Sequence, residues 1–434
     1  MNVVMLGSGY VGLVSGACFS EFGANVTCLD IDQKKIDDLN NGKIPIYEPG
    51  LDDLVKKNSD EGRLVFTTKY DGVIQNADLV FLAVGTPTRR GDGHADLKYI
   101  YQAAKDLAPF LTGYTVIVNK STVPIGTAKN VKRILKETNP DADFDVASNP
   151  EFLREGAAIK DFMFPDRVVV GIENEKAKKL IQELYRPLNL IEVPMVFTSL
   201  ESAELTKYAA NAFLATKISF INEISMLCEK VGADVHAVAK GIGLDGRIGK
   251  KFLHPGPGYG GSCFPKDTQA LVRIAQENGV SSRIVESVIE VNEAQKARMI
   301  GKIRNALGGV ESGKKLAVLG LTFKPETDDM RDAPSLSILP KLIENGAIVH
   351  AHDPQGMHEA RSLLPDAVQY CDSIYDVFDG ADAVIILTEW NVYRGLDLDR
   401  IKKMMNDNVF LDLRNIYEPE TMKSLGFDYH CIGR

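Results

Sequence analysis

Short apolar segments that end in turn residues recur along the first part of the chain, at residues 3–6, 26–29, 79–84, 115–118 and 145–147. Helical patterns, such as those over residues 96–107 and 126–137, lie between them. Unbroken apolar strands that alternate with helices are typical of a parallel sheet covered on both faces. The pattern therefore predicts a doubly wound α/β domain over residues 1–198.

The periodicity changes at Ser199. Residues 199–231 contain no proline or glycine, and their apolar residues recur at helical spacing. At about 1.5 Å per residue, this predicts a helix roughly 50 Å long that ends at Gly232, a length suited to joining two domains. Because apolar residues occupy more than one of its faces, we expect this helix also to pack against a second copy of the chain.

The last part of the chain repeats the pattern of the first. Helical segments at 268–277 and 281–307 and a glycine-rich connection at 308–313 precede strand patterns at 316–319, 348–350, 383–387 and 409–411. The predicted fold class is α/β, with two doubly wound Rossmann-like domains joined by a long helix within a central helical domain. The predicted domains are residues 1–198, 199–312 and 313–434.

Composition and charge exclude several classes of protein. The chain has 434 residues, 44% apolar and 25% charged, which excludes disordered and collagen-like proteins. A net charge of −9 argues against a nucleic-acid partner. No apolar run approaches the roughly 18 residues of a membrane span, and no charged leader precedes the first strand. We therefore expect a cytoplasmic protein without membrane contact.

The six cysteines are scattered, without CxxC pairs or histidine-spaced pairs. Neither a disulfide framework nor a zinc site is indicated, and the histidines form no pattern. We therefore expect reduced thiols and no metal.

A glycine-rich turn predicts the cofactor. The GxGxxG motif directly follows the first strand, opens a helix, and comprises Gly7, Gly9, Tyr10, Val11 and Gly12. Such glycines permit a tight turn, close approach of the backbone to a pyrophosphate and close helix–strand packing. Asp30, at the end of the second strand, is the acid expected on the ribose hydroxyls, and no arginine adjoins it to accept a ribose phosphate. The motif favours NAD over NADP; the alternative is that the glycines only shape a turn.

Three further loops follow later strands, at residues 85–88, 121–124 and 149–153. Ligands of open α/β sheets bind outside the carboxyl ends of the strands, so we expect these loops to line one cleft. Each loop alone could be ordinary turn chemistry, but three at the same end favour a binding site.

Cys263 is the candidate nucleophile. It lies within residues 256–267, a segment with four glycines and two prolines, and Lys266 and Asp267 follow it at the predicted start of a helix. A helix N-terminus and a nearby ammonium group both favour the reactive thiolate. The alternative is an ordinary buried cysteine, as we assume for the other five.

Glu204, Lys207 and Asn211 share one stripe of the long helix. The lysine and the asparagine could steady an oxyanion in a cleft. Spacing alone, however, favours a solvated face with an incidental ion pair.

Two basic residues of the last domain, Lys324 and Arg414, follow predicted strands, which is where a phosphate-bearing ligand would bind. Arg331 stands among aspartates and could instead pair with them.

Long motifs along the whole chain resemble those of UDP-glucose dehydrogenases, within the UDP-glucose/GDP-mannose dehydrogenase family. In chain order they are GSGYVG, YEPGL, GTPT, KSTVP, NPEFLREG, ELTKYAANAFLA, GYGGSCFPKD and GLTFKPETDDMRDAPS. The resemblance implies four-electron oxidation of UDP-glucose to UDP-glucuronate, with two NAD molecules reduced per turnover. It also implies a Cys263 thiohemiacetal that is oxidised to a thioester, which water then cleaves.

The resemblance further implies roles for individual residues. In the catalytic set, Cys263 would be the nucleophile, and Thr122 and Asp267 would position or activate water. Glu151 would be an acid–base group, and Lys207 and Asn211 would stabilise oxyanions. Contacts with NAD would come from Asp30, Lys35, Thr86, Thr122, Glu155, Lys266 and Arg331. Contacts with the sugar nucleotide would come from Glu151, Phe152, Leu153, Glu155, Lys207, Asn211, Phe252, Tyr259, Gly260, Lys324 and Arg414. Arg247 would reach the substrate of the neighbouring subunit, which implies a homodimer, whereas His254 replaces a lysine of some family members and carries no assignment.

Two alternatives stay open. A sister enzyme that oxidises GDP-mannose or a UDP-N-acetylhexosamine would share the fold, the NAD site and the cysteine chemistry, although the GYGGSCF loop favours UDP-glucose. A catalytically silent NAD-binding regulatory protein would share only the fold, and the complete catalytic set argues against it.

Overall fold

Parallel strands dominate both ends of the chain. The computed structural model describes residues 1–87, 89 and 95–434, and these form two compact units, Met1–Ala210 and Asn211–Arg434. The three-domain boundaries expected from the sequence remain a prediction.

The first unit is built on an eight-stranded sheet. Its strands are β1 (Asn2–Leu6), β2 (Asn25–Leu29), β3 (Leu64–Thr67), β4 (Leu79–Leu82), β5 (Thr115–Asn119), β6 (Phe144–Ser148), β7 (Val168–Ile172) and β8 (Met195–Thr198), in the order β3-β2-β1-β4-β5-β6-β7-β8. Strands β1 to β6 are parallel, as the sequence predicts. The sheet then differs from the expectation, because β7 pairs antiparallel with β6, and β8 runs parallel to β7.

Helices cover both faces of this sheet. They are α1 (Tyr10–Glu21), α2 (Gln33–Asn40), α3 (Leu51–Asp60), α4 (Lys98–Leu107), α5 (Thr127–Thr138), α6 (Ala158–Met163) and α7 (Glu175–Leu184). Along β4, Leu79 and Phe81 face one buried core, whereas Val80 and Leu82 face the other. Successive side chains of a strand point to opposite faces, so a strand buried on both faces is mostly apolar.

A single helix of 32 residues, α8 (Leu200–Val231), follows the first sheet. The prediction of one long helix ending at Gly232 is confirmed, since Gly232 takes a left-handed conformation with φ of +72°. Three more helices come next, α9 (Val235–Gly243), α10 (Phe264–Glu277) and α11 (Arg283–Ala306).

The second unit ends in a six-stranded parallel sheet. Its strands are β9 (Lys315–Leu319), β10 (Ile348–His352), β11 (Gln369–Tyr370), β12 (Ala383–Ile386), β13 (Val409–Asp412) and β14 (Asp428–Cys431), in the order β11-β10-β9-β12-β13-β14. Its helices are α12 (Pro334–Glu344), α13 (Met357–Leu363), α14 (Leu398–Met404) and α15 (Pro419–Ser424). Short 3₁₀ helices occur at Ile74–Asn76, Ala108–Phe110, Arg186–Ile191, Asp376–Phe378 and Asn391–Gly395. The predicted fold class, two Rossmann-like domains and a long helix, is confirmed.

Across the described part of the chain, no helix combines the length and the apolar character that crossing a bilayer would require.

Candidate active site

The three motif glycines between β1 and α1 face different surroundings. A Cβ at Gly7, whose φ is +104°, would lie 2.8 Å from the Ala83 carbonyl oxygen, and one at Gly12 would lie 1.8 Å from the Gly7 carbonyl oxygen. A Cβ at Gly9 would meet no atom within 4 Å. The fold itself therefore requires Gly7 and Gly12, whereas Gly9 leaves open surface at the turn, as a bound pyrophosphate would need.

The N-terminus of α1 fits an anionic ligand. Its N-cap residue is Gly9, and among the described residues of its first turn there is no acidic side chain and no side-chain cap. Its first backbone amides are thus open to a phosphate oxygen, and the helix dipole favours negative charge there.

Asp30 directly follows β2 and is buried. Its carboxylate accepts hydrogen bonds from the Ser8 amide at 2.7 Å and from Lys35 Nζ at 3.0 Å. Burial alone would raise the pKa of Asp30, but the Ser8 amide and the Lys35 ammonium outweigh it and hold the pKa below its ordinary value. The ionised carboxylate can accept hydrogen bonds from ribose hydroxyls, so these residues fit NAD.

The loops after β4 and β5 contact each other. Thr86 Oγ1 donates to the Thr122 carbonyl oxygen at 3.0 Å, and Ser121 Oγ donates to the Val84 carbonyl oxygen at 2.7 Å. Two of the three loops expected in one cleft are thereby joined directly. Thr88, the last residue of the first loop, lies outside the described residues.

Lys120 links the second of these loops to the third. Its ammonium donates to Asn149 Oδ1 at 3.1 Å and to the Tyr185 hydroxyl at 3.2 Å. Burial lowers the pKa of Lys120 to about 8. Sequence reasoning assigned this residue no role, although a lysine directly after the fully buried strand β5 was a signal of a buried charge.

Lys207 is buried rather than solvated. Its ammonium lies 3.1 Å from Glu151 Oε1, and the side chains of Lys207 and Glu151 are 3% and 7% exposed. The other carboxylate oxygen of Glu151 accepts the Leu153 amide at 2.5 Å. The spacing-based interpretation of a solvated helix face is therefore wrong, and a matched buried ion pair takes its place.

Glu204 does not serve as an incidental ion-pair partner either. Its carboxylate accepts the amides of Gly126 and Ala128, at 2.6 and 2.8 Å, and so caps the N-terminus of α5. Burial raises the pKa of Glu204 to about 7, against the opposing effect of these amides.

Two cations contact the ring of Phe152. The Arg167 guanidinium carbon lies 3.6 Å and Lys207 Nζ lies 5.2 Å from the ring centroid. Leu153 packs against the core below this loop. Sequence reasoning missed Arg167, because nothing in the sequence around it points to this contact.

In the second unit, Cys263 is the N-cap residue of α10, a helix of 14 residues. Its thiol is partly exposed, and its Sγ lies 3.6 Å from Ser262 Oγ. A helix N-terminus favours the thiolate form. Of the other five cysteines, Cys18, Cys28, Cys228 and Cys431 are buried.

Asp267 lies in the first turn of α10, one turn beyond Cys263. The side-chain amide of Asn211 donates through Nδ2 to Asp267 Oδ2 at 2.6 Å, and Lys266 Nζ lies 2.5 Å from Asp267 Oδ1. The Asp267 side chain is buried between these two partners. The Asp267 carboxylate, held by Asn211 and Lys266, can accept a proton near the turn that carries Cys263.

The loop before Cys263 packs tightly against the loop after β9. A Cβ at Gly260 would lie 2.2 Å from the Asp332 carbonyl oxygen, so only glycine fits there. The Gly261 amide donates to the Arg331 carbonyl oxygen at 2.7 Å. Tyr259, before these glycines, is buried and forms two hydrogen bonds with Asn292.

Arg414 is held by the loops after β9 and β12. Its guanidinium donates to the carbonyl oxygens of Leu387 and Phe323, at 2.7 and 3.1 Å. A Cβ at Gly256 would lie 3.0 Å from Arg414 Nη1. Lys324, whose Nζ lies 5.3 Å from the Phe323 ring centroid, follows directly. Arg414 thus lies beside Gly256, at the start of the segment that carries Cys263.

Three further residues that were expected to contact ligands have the following surroundings. Arg331 pairs with Asp329 through contacts of 2.8 and 2.9 Å, which is the pairing that its acidic neighbours suggest. The Arg247 side chain is 90% exposed and pairs with Asp245. Phe252 has a φ of +64° and its ring lies 6.0 Å from that of Phe264. Their roles stay predictions.

Comparison with known proteins decides the family. Residues 1–189, 201–294 and 317–419 match, in turn, the NAD binding domain, the central domain and the UDP binding domain of the UDP-glucose/GDP-mannose dehydrogenase family. The chain belongs to this family. The match to the family's NAD binding domain makes NAD the cofactor and agrees with the glycine turn and Asp30.

Relatives within the family are similar over their whole length. A UDP-glucose 6-dehydrogenase of Rhizobium meliloti is 55% identical, with all of both chains covered. The solved UDP-glucose dehydrogenase of Pyrobaculum islandicum is 38% identical with a TM-score of 0.91, covering 99% of this chain and 96% of that one. A solved UDP-D-ManNAc dehydrogenase of Pyrococcus horikoshii is 28% identical with a TM-score of 0.87, covering 100% and 99%.

Proposed function

We propose that this chain is an NAD-dependent UDP-glucose 6-dehydrogenase, which oxidises the primary alcohol of UDP-glucose to the carboxylate of UDP-glucuronate. The observation that carries the proposal is the position of Cys263. Its partly exposed thiol belongs to the N-cap residue of α10, one turn before a buried aspartate, and such a nucleophile can hold an aldehyde for a second oxidation. Similarity to UDP-glucose dehydrogenases over the whole chain supports the choice of substrate.

The cofactor would be held by the glycine turn and the acid after β2. The α1 amides would bind its pyrophosphate, Asp30 its ribose hydroxyls, and Lys35 would stay beside that carboxylate. Thr86, Thr122, Glu155, Lys266 and Arg331 are assigned further contacts with it. NAD, when bound, accepts a hydride at each of the two oxidation stages.

The thiol of Cys263 would retain the half-oxidised sugar. The alcohol first loses a hydride and a proton to give the aldehyde. The thiolate then adds to the aldehyde carbon, forming a C–S bond and an oxyanion, and loss of a second hydride leaves a thioester. Water adds to the thioester carbon, the C–S bond breaks, and the thiol and the carboxylate are released.

Polar residues would stabilise the negative charge and transfer the protons in these steps. We assign Lys207 and Asn211 to the oxyanions, because both are buried donors with fixed carboxylate partners. Glu151 would exchange protons as an acid–base group, and Asp267 with Thr122 would position the water. Because such donors are already in place, they do not have to reorient when the negative charge develops.

Sugar-nucleotide binding is assigned to eight further residues. Phe152, Leu153 and Glu155 come from the loop after β6, and Phe252, Tyr259, Gly260, Lys324 and Arg414 come from the second unit. Lys324 and Arg414 would bind the diphosphate, since they are cations at the carboxyl ends of strands.

We also propose a cytoplasmic homodimer whose product feeds polysaccharide biosynthesis. Helix α8 carries exposed apolar side chains that a second copy would cover. Arg247, which is exposed, would reach the substrate of the neighbouring subunit.

Counting NADH per sugar tests the proposal. With UDP-glucose limiting and NAD in excess, we expect two NADH per UDP-glucose, measured by absorbance, and UDP-glucuronate as the product, measured by chromatography. One NADH per sugar would indicate a simple alcohol dehydrogenase, and no NADH from folded protein would indicate a regulatory NAD-binding protein.

Turnover with three substrates tests the sugar. We expect UDP-glucose to be preferred over UDP-N-acetylmannosamine and GDP-mannose. Preference for either of the others would leave the cysteine chemistry in place but replace the substrate.

A further inference from the structure

Glu48 is a buried carboxylate in the YEPGL segment, which no function assigned so far uses. It lies between α2 and α3, in a connection that contributes no strand to the sheet. Its side chain nevertheless joins the two segments of the first unit that are assigned to NAD and to the sugar nucleotide.

The first of these segments is the glycine turn. The Tyr10 hydroxyl donates a hydrogen bond to Glu48 Oε2. Tyr10 is the first residue of α1 and follows Gly9 directly, so its backbone belongs to the amides that would face the pyrophosphate. The position of this helical turn is therefore coupled to the Glu48 carboxylate.

The second segment is the loop after β6. Glu48 Oε2 also accepts the Gly156 amide at 2.6 Å, and Oε1 accepts the Ala158 amide at 2.7 Å. Gly156 follows Glu155 in the chain, and Leu153 lies two residues before that. The Glu48 carboxylate thus holds the end of the loop that would contact the sugar nucleotide.

One carboxylate oxygen accepts from both segments. A displacement of Gly156 that pulls Oε2 with it also changes the bond to Tyr10, because the two donors share this acceptor. Breaking either bond inside the protein leaves a buried polar group without its partner, which is costly. Movement of the two segments together keeps both hydrogen bonds and avoids this cost in free energy.

We infer that Glu48 is a positioning residue that couples the two binding loops, so that a ligand on one loop raises the affinity of the other loop for its ligand. This inference rests on the proposed function, because that function assigns NAD and UDP-glucose to the two loops. A ligand that orders one loop would order the other through Glu48, and the second ligand would then bind to a loop already in place.

The experiment measures NADH affinity by fluorescence, with and without saturating UDP-glucose, a pair that cannot react. For the unmodified protein we expect UDP-glucose to lower the Kd of NADH by about fivefold or more. For Tyr10→Phe, which removes only the hydroxyl, we expect the ratio of the two Kd values to fall to about one, whatever the NADH affinity of the variant in the absence of UDP-glucose. The reverse titration must give the same factors, because coupling between two ligands is reciprocal.

Tyr114→Phe is the matched control. Tyr114 also donates to a carboxylate of the first unit, Asp145 Oδ2 at 2.8 Å, but it lies in neither binding segment. The ratio of the two NADH Kd values of Tyr114→Phe should equal that of the unmodified protein, even if Tyr114→Phe and Tyr10→Phe both lose stability. If Tyr10→Phe proves too unstable to titrate, Glu48→Gln removes an acceptor from the same group and should also abolish the coupling.

Two results would overturn the inference: a ratio of one for the unmodified protein, or an unchanged ratio in the Tyr10→Phe variant. Turnover assays on the unmodified protein test the proposed function separately. If those assays identify another sugar nucleotide, the same titrations are done with it, so failure of the substrate assignment and failure of the coupling are distinguishable.

Discussion

Buried charges of the first unit each have a defined partner. Lys207 pairs with Glu151, Glu204 with the amides of α5, and Lys120 with Asn149 and Tyr185. Burial of a charge without such partners would be strongly unfavourable. These residues therefore keep fixed positions before any ligand arrives, which is what stabilisation of a transient charge requires.

Substitution of Cys263 separates the two oxidations. We expect Cys263→Ser to stop after at most one oxidation, because a hydroxyl is a much weaker nucleophile, and Cys263→Ala to release no acid. NADH per sugar and product chromatography measure both. Cys371→Ser, at another partly exposed cysteine, is the control and should retain full turnover. Formation of glucuronate at a normal rate by either Cys263 variant would contradict the covalent mechanism.

Lys120 makes stability depend on pH above neutrality. Its pKa is about 8 in the folded protein, where burial disfavours the charge, and about 10.5 when exposed in the unfolded chain. Between these values the unfolded state binds the extra proton, so the free energy of unfolding should rise as pH rises from 8 towards 10.5. Relative to Lys120→Met, the gain should be on the order of 3 kcal/mol, from denaturant unfolding at several pH values. A pH-independent difference between the two proteins would show that Lys120 does not lose its proton in this range.

Equivalent elements in the two sheets show why only one of them is predicted to bind NAD. Gly320 follows β9 as Gly7 follows β1, and each amide donates to the end of the neighbouring strand. Asp353 follows β10 as Asp30 follows β2. Asp353, however, also accepts from the side chains of Thr322 and Trp390. The amides of Leu321, Gln355 and Gly356 occupy its remaining acceptor positions.

Matched substitutions test this difference. Asp30→Asn should raise the KM for NAD by about tenfold, because a neutral amide binds ribose hydroxyls less strongly than a carboxylate does. Asp353→Asn should leave that KM unchanged but lower the free energy of unfolding by about 3 kcal/mol, since its amide group would face buried donors. Steady-state kinetics and denaturant unfolding measure the two effects. A reversed pattern would mean that the second sheet takes part in NAD binding.

The sequence predicts elements well where burial is uniform. Strands β4 and β5 are buried at every position, and β4 and the three central residues of β5 are continuously apolar. Strand β14 carries Asp428 and His430 and therefore shows no such run. The reversed direction of β7 and β8 has no local signal, because strand direction depends on the path of the connections.

Site residues are predictable where they form local motifs, as in the glycine turn and the Cys263 loop. The burial of Lys207 was not predictable from its spacing, because α8 has apolar residues on several faces and no single buried stripe. The amide contacts of Glu48 and Glu204 join positions 76 to 110 residues apart with no pattern that relates them, although in each case a carboxylate accepts helix-terminal amides.

At the scale of the whole molecule, α8 provides the surface for the proposed dimer. Phe213, Phe220 and Leu227 follow each other at intervals of seven residues and are 65%, 48% and 57% exposed. Side chains seven residues apart lie on one stripe of a helix, and a stripe of this kind is suited to packing against a second copy.

Phe220→Glu should therefore produce monomers, because a charge would be buried at the centre of this stripe. Light scattering during gel filtration measures the mass. Phe164→Glu, which changes an exposed aromatic residue of the first unit, should leave the dimer intact. A dimer that survives the Phe220 change, or a monomeric unmodified protein, would contradict the proposed interface.

A mixing assay tests the role of Arg247 across the dimer. Arg247→Ala and Cys263→Ala should each be nearly inactive, but mixed dimers should recover part of the activity, because one site then keeps both groups. Absence of recovery in verified mixed dimers would place Arg247 in its own subunit's site or outside catalysis.

The unequal environments of the six thiols have a practical consequence. Burial raises the pKa of Cys18 and Cys28 to about 12 and that of Cys431 to about 11, so these sulfurs stay protonated near neutral pH. An alkylating reagent should therefore first modify Cys263, whose thiol is partly exposed at the N-cap position of α10. Peptide mapping after brief exposure to iodoacetamide would report which sulfur is labelled. An electrophile directed to this site should therefore inhibit the enzyme covalently, without the introduction of another reactive residue.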